Sequence, residues 1–368
     1  MIRLLFEVGH LYHRAVFDPL YQVLRQDPRY EIAFACSFDA ERYLGLFTRS
    51  LKRQIETRFR AEGLPVAEKT HGFDAVVVGD TVRHPARYGR TLLCLVNHST
   101  GIKNMLYRNL KMHPRTRYQI FVEGDYRVER IQQTGAVGIS TLHKVGMTKF
   151  DPLFWPDFPK RAAILRRLGL DPDRPTVLFA PTYKPSCIDI VQEQILTQTS
   201  DYNLIIKLHH YSWRGKYAPH WHHRLYERAV PRYPHAVLIP EDDYNILPYL
   251  YAADTLISEA SSTMLEFLAL HKTGIIVVLP GEQLTHHSGA PLLSEEPRQF
   301  LTGAFLHIYH PSEIGEAVAM ALRDDPERRE AARRYRDHFY YGLDGRASQR
   351  VKTTIERLLA EGGHAHCP

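Results

Sequence analysis

The sequence predicts an α/β protein of two doubly wound domains, each built on a parallel sheet. Three observations carry that expectation. Short apolar runs with strand character alternate with helical stretches, the alternation restarts after Trp155-Pro156, and polar side chains able to do chemistry stand directly after several of the runs. In the first half the strands are Ile2–Val8, Glu31–Cys36, Ala75–Val78, Leu92–Val96 and Gln119–Glu123, with helices at Val16–Arg25, Ala40–Arg60 and Tyr126–Thr134. Such alternation implies a sheet covered on both faces. The segment Asp151–Pro159, rich in proline and aromatic residues, reads as a linker. After it, a helix Lys160–Leu168 leads through a Pro-rich turn to strands Thr176–Ala180, Asn203–Leu208, Ala236–Ile239, Thr255–Ser258 and Gly274–Leu279, with helices interleaved. The expected domains are residues 1–155 and 156–338, followed by a closing segment 339–368. Two such domains facing each other would place a ligand cleft at the carboxyl ends of both sheets.

Composition narrows the function classes. With 368 residues, 44% hydrophobic and 24% charged, the chain can bury a core in each of two domains. No apolar run is long enough to cross a bilayer, and Met1–Val8 lacks the cleavage signal of a secretory peptide, so the expected location is the cytoplasm. Cys36, Cys94, Cys187 and Cys367 have no C-x-x-C spacing, which argues against a zinc site or a disulfide framework. The net charge of +6 suits anionic ligands. Its clusters, Arg161–Arg167 and Arg328–Arg336, are interleaved with Ala, Leu and Ile and read as solvated helix faces, so nucleic acid is not an expected partner. A substrate attached to the inner leaflet of a membrane would gain from the same charge, leaving peripheral association open.

The segment from Tyr244 to Leu279 is the most informative. A helix ends at Ala253-Asp254, Thr255–Ser258 is a strand, and Glu259-Ala260-Ser261-Ser262 opens a second helix, Thr263–Leu270. Hydroxyls of Ser261, Ser262 and Thr263, with the free N–H groups of a helix N-terminus, can cradle a phosphate. Glu266, one turn on, could reach back to that turn or to a ribose hydroxyl. The competing reading is an ordinary N-capped core helix, since Ser and Thr are favoured at that position in any case.

Further candidates stand after other strands. His98 follows Leu92–Val96, His209 follows Asn203–Leu208 beside Lys207, and Thr182 follows Thr176–Ala180, each where a scaffold positions a side chain without sealing it in. Any one histidine among 21 is more often structural, but the repeated placement favours function. His10 and His13, in the turn after the first strand, could line an acceptor side with Lys103, although a structural turn competes. His222-His223 and His286-His287 lack the spacing of a supported metal site and read as exposed or supporting residues. Asp242-Asp243 reads as a surface turn and Tyr244–Tyr251 as core packing.

These same residues carry a resemblance. L-F-A-P-T-Y-K, I-I-K-L-H-H, the Asp254–Phe267 block and the terminal Y-G-L-D-G-R-A-S-Q-R-V resemble the CDP-glycerol glycerophosphotransferase family, which builds teichoic acid and related polyol-phosphate polymers. V-N-H-S-T-G-I-K-N-M is similar to its W-H-G-T-P-L-K element, and V-G-M-T-K-F-D-P-L-F to its G-Y-P-R-N-D-x-L-F element. The matches keep the family's order from His98 to Val351, about two-thirds of the chain. The resemblance implies a GT-B fold, two Rossmann-like domains with a nucleotide cleft between them, and a final helix returning toward the first domain. It assigns His98 as the catalytic base, His209 as a second active-site histidine near the donor diphosphate, and Ser261, Ser262 and Arg346 as donor-side residues. Glu259-Ala260 departs from the family's Asp-Tyr in D-Y-S-S, and His98-Ser99 from its His-Gly.

The implied reaction moves glycerol phosphate, or another polyol phosphate, from a CDP-linked donor to a hydroxyl of a glycan, lipid-linked or polyol-phosphate acceptor. It requires no cofactor beyond the CDP-polyol substrate. His98 would take the hydroxyl proton. His209, Lys207, the serines and the helix N-terminus near Thr263 would steady the departing CMP in place of a metal, since no D-x-D stands where it could bind a nucleotide–metal pair. Loss of activity in EDTA, restored by magnesium, would count against that metal-free expectation. Glu259 and Glu266 keep a GT-B glycosyltransferase or sugar-nucleotide epimerase using a UDP-sugar as the alternative, and a non-catalytic nucleotide-binding protein is a third.

Overall fold

Parallel strands cannot be joined by tight turns, so each needs a crossover, and helices supply most of them here. The computed structural model describes residues 1–37, 41–43, 47–49, 52–82, 84–213, 221–279 and 298–362. The chain divides into two compact units, one of Met1–Gly101, Met105–Phe158 and His338–Pro368, the other of Ile102–Asn104 and Pro159–Asp337. The calls on His286, His287 and Cys367 lie outside the described residues.

Unit 1 is built on β1 (Ile2–Val8), β2 (Tyr30–Cys36), the small antiparallel pair β3 (Glu41–Tyr43) and β4 (Phe47–Arg49), then β5 (Ala75–Val78), β6 (Leu92–Val96), β7 (Gln119–Val122) and β8 (Thr141–Lys144). Its six-stranded sheet runs β2-β1-β5-β6-β7-β8 with every pairing parallel. The helices are α1 (Arg14–Leu24), α2 (Lys52–Ala61), α3 (Met105–Met112) and α4 (Asp125–Gln133). Strands β5, β6 and β7 are buried along their whole length, as a sheet covered on both faces requires. Val76, Leu95 and Ile120 pack with Leu106 and Leu110 of α3 and Ile131 of α4.

Unit 2 contains α5 (Arg161–Arg167), β9 (Thr176–Phe179), α6 (Ile188–Val191), α7 (Gln194–Gln198), β10 (Asn203–Ile206), α8 (His222–Ala229), β11 (Ala236–Leu238), α9 (Leu247–Ala252), β12 (Thr255–Ser258), α10 (Ser262–Ala269), β13 (Ile275–Val277), β14 (Leu306–Ile308) and α11 (Ile314–Ala321). The sheet order is β11-β10-β9-β12-β13-β14, again all parallel. Successive strands leave β9 in one direction and return to its other side at β12, so the order reverses there, and in unit 1 it reverses between β1 and β5. Loops diverge at such points and leave room for a ligand.

After α12 (Pro326–Phe339), the last helix α13 (Ala347–Ala360) belongs to unit 1, where Val351 and Ile355 are fully buried. Gly124 lets the returning chain pass, because a Cβ there would strike the Phe339 carbonyl. Asp151 receives the first turn of α13, accepting from Ala347 N at 3.0 Å and Ser348 N at 2.6 Å.

Three expectations change. Of the helix expected over Ala40–Arg60, the described residues are helical from Lys52, in Lys52–Ala61, and two short strands, Glu41–Tyr43 and Phe47–Arg49, precede it; Tyr, Phe and Thr there favour extended backbone. The expected linker begins inside a 3-10 turn, Thr148–Phe154, whose Thr148, Lys149, Phe150 and Asp151 are buried in unit 1. Strands β8 and β14 are additional, and both lie at sheet edges, where partial exposure removes the apolar signal.

Candidate active site

The carboxyl ends of β1, β5 and β6 deliver three loops into one cluster. His13 comes from the 3-10 turn after β1, Asp80 from the loop after β5, and His98 from the loop after β6. Asp80 stands between the two histidines. Its Oδ2 lies 3.1 Å from His13 Nε2 and its Oδ1 lies 3.7 Å from His98 Nδ1. The two imidazoles stack with centroids 5.0 Å apart, Tyr12 lies against His98 at 4.7 Å, and His10 stacks on Tyr12 at 4.8 Å. Gly79 makes this possible, because a Cβ there would sit 2.6 Å from the His13 ring. The structure thus brings His10, His13 and His98 together with Tyr12 of the same turn, and adds Asp80, which the sequence reading missed. The available signal was Val78-Gly79-Asp80, a polar group after a buried strand, placed as His98 is.

Burial holds the His98 imidazolium down to about 4 against the favourable charge of Asp80, so the ring is neutral at physiological pH and able to accept a proton. Burial raises the Asp80 carboxyl, but the charge of His98 and the hydrogen bond and charge of His13 outweigh it and leave Asp80 well below the usual carboxylate range. Ligand atoms of His13, Asp80 and His98 lie within 4.8 Å of one another, a donor set that a transition metal would accept. Hydrogen bonding assigns His13 differently. Gly9 N–H points at His13 Nδ1 from 3.3 Å, which puts the ring proton on Nε2, and that nitrogen then donates to Asp80 and offers no lone pair.

The His98 loop is anchored from α4. The buried Arg127 guanidinium reaches Asn97 Oδ1 at 3.3 Å and the Ser99 carbonyl, while its Nε meets both Glu123 oxygens at 3.0 and 3.1 Å. Asn97 in turn donates to the Gly79 carbonyl at 2.9 Å, tying the β6 loop to the β5 loop.

In unit 2, the second cluster forms at the order reversal between β9 and β12. Glu259 is buried, and its carboxylate accepts from the backbone N–H groups of Thr182 and, at 3.0 Å, Cys187. It therefore pins the loop after β9 and does not present itself to a ribose. Burial raises its carboxyl, opposed by the bonds from Cys187 and Thr182. Lys103, expected beside His10 and His13, instead donates to Thr182 Oγ1 at 3.5 Å; burial lowers its ammonium and the Glu259 charge opposes that fall. Ser261 is the N-cap of α10, but its hydroxyl is buried against Ser258 Oγ at 3.1 Å and caps nothing. Ser262 and Thr263 stand half-buried in the first turn of α10, and Glu266 is buried further along it. His209 Nδ1 accepts from Tyr211 N–H at 3.1 Å, so its proton lies on Nε2, the tautomer that donates to an oxyanion. Tyr183 packs on His209 at 4.7 Å. Lys207 is buried, with Nζ 3.4 Å from the Leu208 carbonyl.

The remaining candidates are placed elsewhere. Arg346 belongs to unit 1 and is exposed at the N-cap of α13. His222, expected to be exposed or a supporting residue, is fully buried with Nε2 2.9 Å from Asp189, and His223 meets the Ser212 carbonyl at 3.0 Å and stacks on Trp213. Both are tied to structure. Cys36, Cys94 and Cys187 are buried free thiols.

Comparison with known proteins follows from this geometry. The wall teichoic acid polymerase TagF superposes with a TM-score of 0.67 at 14% identity, covering 99% of this chain and 90% of that one. A histidine-to-asparagine variant of TagF with CDPG gives 0.69 at the same identity, covering 99% and 90%. The S. aureus MnaA–UDP structure gives 0.61 at 15%, covering 98% and 97%. At these identities the likeness establishes the fold, GT-B. No curated protein sequence matches the chain significantly. Residues 136–357 match the model of the family described as CDP-Glycerol:Poly(glycerophosphate) glycerophosphotransferase. That match spans more than half of the chain and includes the His209 and Ser261 turns, and the protein is accordingly a GT-B transferase belonging to the CDP-glycerol:poly(glycerophosphate) glycerophosphotransferase family.

Proposed function

We propose that the protein transfers glycerol phosphate, or a related polyol phosphate, from a CDP-linked donor to a hydroxyl of a cell-surface polymer precursor, with His98 as general base. The observation that carries this is the neutral His98 imidazole at the end of β6, with its Nδ1 edge turned to Asp80. Its Nε2 is then the nitrogen that takes a proton from a hydroxyl. Family membership supplies the reaction class. In unit 2, the donor diphosphate would be met by the Nε2–H of His209, by the first turn of α10 with Ser262 and Thr263, and by the Thr182 loop with Lys103. The charge growing on CMP suits such donors. His10 and His13 stay on the acceptor side. Arg346 is retained as a phosphate contact on the strength of the D-G-R match alone.

The alternative is a UDP-sugar enzyme, favoured by the shared fold of the MnaA–UDP structure. Of the two carboxylates that favour that reading, Glu259 and Glu266, the first is occupied with backbone amides, which weighs against it. The test is release of CMP from CDP-glycerol and CDP-ribitol over a panel of polyol-phosphate and glycan acceptors, alongside thermal stability with each nucleotide. His98→Ala should lower turnover at least about a hundredfold while leaving the stabilisation by donor intact. Release of UDP or an epimer from UDP-N-acetylglucosamine, with no response to CDP-polyols, would transfer the assignment to the alternative.

A further inference from the structure

The cluster in unit 1 holds more than a base. A lone imidazole can accept a proton at either nitrogen and can rotate, so a useful general base needs one edge fixed and its developing positive charge met. His98 Nδ1 is sealed from solvent, makes no hydrogen bond of ordinary geometry, and lies 3.7 Å from Asp80 Oδ1. Asp80 is itself held, because His13 donates Nε2–H to its other oxygen at 3.1 Å and Asn97 Nδ2 reaches Oδ1 at 3.3 Å. His13 cannot turn away, since its Nδ1 is engaged by Gly9 N–H and its ring lies against the Gly79 backbone. The chain Gly9, His13, Asp80, His98 therefore has one direction. His13 Nε2–H points toward Asp80 from one side, and a proton on His98 Nδ1 would do so from the other, leaving His98 Nε2 for substrate.

We propose that Asp80 is the positioning residue of the transfer reaction, fixed by His13 and closing on the Nδ1–H of His98 as that ring becomes cationic. This deepens the reading of His98 as base and rests on it. In the step, the acceptor O–H proton passes to His98 Nε2 as its oxygen forms a bond to the β-phosphorus. The bond from that phosphorus to the bridging oxygen breaks, its electron pair leaves with CMP, and the imidazolium later loses its proton to solvent. The gap of 3.7 Å closes to hydrogen-bond length with a movement of less than about 1 Å, which the attraction between carboxylate and imidazolium favours. The groups around His98 are Asp80 after β5, His10, Tyr12 and His13 after β1, and Lys149 from the 3-10 turn, whose charge disfavours the imidazolium. Asp80 and the Gly79 backbone favour the cation, and Asp80 is the charged one.

The experiment is nitrogen NMR of the full-length protein with labelled histidine, the His98 signals identified by their loss in His98→Gln. At neutral pH, His98 should show a protonated Nδ1 and a bare Nε2; the opposite tautomer in the native protein overturns the proposal without any variant. Asp80→Asn should scramble or invert that tautomer and move the His98 titration to still lower pH, because the carboxylate that favours the cation is gone. Asp80→Glu, which keeps a carboxylate, should preserve the native tautomer. In CMP release, Asp80→Asn should lower kcat at least about tenfold with the donor KM little changed, and shift the acid limb of the profile downward with the titration. An unchanged tautomer and titration in a folded Asp80→Asn overturns the proposal. The NMR arm needs no turnover and so tests the Asp80–His98 pairing apart from the base reading, whereas a native rate in His98→Ala would remove that reading and with it the role of Asp80 in the transfer.

Discussion

A guanidinium removed from water is costly unless its N–H groups are met, and Arg127 is nearly inaccessible in α4. Its partners define its role. Glu123 neutralises it, and Asn97 and Ser99, whose side chain and carbonyl it meets, are the two residues flanking His98, so the ion pair and the loop carrying His98 share one support. Glu123 is buried too, its carboxyl raised by burial against the pull of Arg127. Arg127→Met would leave that carboxylate without its partner and should cost about 3–5 kcal/mol in urea unfolding. Arg127→Met with Glu123→Leu should recover much of the loss in stability but none of the loss in turnover, because Ser99 is still unanchored. Equal destabilisation in the single and double variants would mean that the pair is not the unit described. Little of this was readable beforehand. His98, His209 and Thr182 could be found because each follows a buried strand, but their partners, Asp80 for His98 and Glu259 for Thr182, lie far away in sequence and only the fold brings them near. Glu259, longer by a methylene than the Asp of the D-Y-S-S element it resembles, reaches back to two backbone amides.

At the scale of elements, α13 begins without a side-chain cap of its own; its N-cap is Arg346, and Asp151 supplies the missing acceptors from the 3-10 turn Thr148–Phe154. Two charge-assisted bonds from Ala347 and Ser348 place a carboxylate at the positive end of the helix. Asp151→Ala should cost about 2 kcal/mol in denaturant unfolding and speed amide exchange in the first turn of α13, while Asp151→Asn should lose less. Native exchange at Ala347 and Ser348 in the alanine variant would show the cap to be idle. The D-P-L-F sequence around Asp151 read as a linker because proline and aromatic residues punctuate chains; here they bury a capping acid. Strands were most legible where burial is extensive: Ala75–Val78 and Leu92–Val96 are continuous apolar runs, Ile2–Val8 is apolar but for Arg3 and Glu7, Thr255–Ser258 has an apolar centre, and all four have the bounds the sequence suggests. Edge strands and the β3–β4 pair carry no such signal, since edges need only partial burial and short hairpins depend on what they pack against.

Over the whole molecule, the path of the chain makes the two units unequal in folding. Unit 2 takes all but a short segment of its residues from the continuous stretch Pro159–Asp337, whereas unit 1 is completed only by the last helix. Val351 and Ile355 bury fully in unit 1, Lys352 pairs with Asp27 at 2.9 Å, and Arg350 donates to the Val145 carbonyl at 2.7 Å. Each buried aliphatic side chain is worth about 1.5–3 kcal/mol, so together these contacts rival the stability of a typical domain. Contacts spanning most of a chain are also the slowest to form. Removal of residues from Gly342 onward should therefore leave amide protection in β9, β10 and β12 near native and abolish it in β1 and α1, read by hydrogen exchange with mass spectrometry. A synthetic peptide covering residues 342–362 should restore protection in unit 1, because it returns the same buried surface without the covalent link. Loss of protection in both units together would instead mean that the chain unfolds as one cooperative body, and retention in both would mean that the returning helix is an accessory to a unit 1 already stable without it.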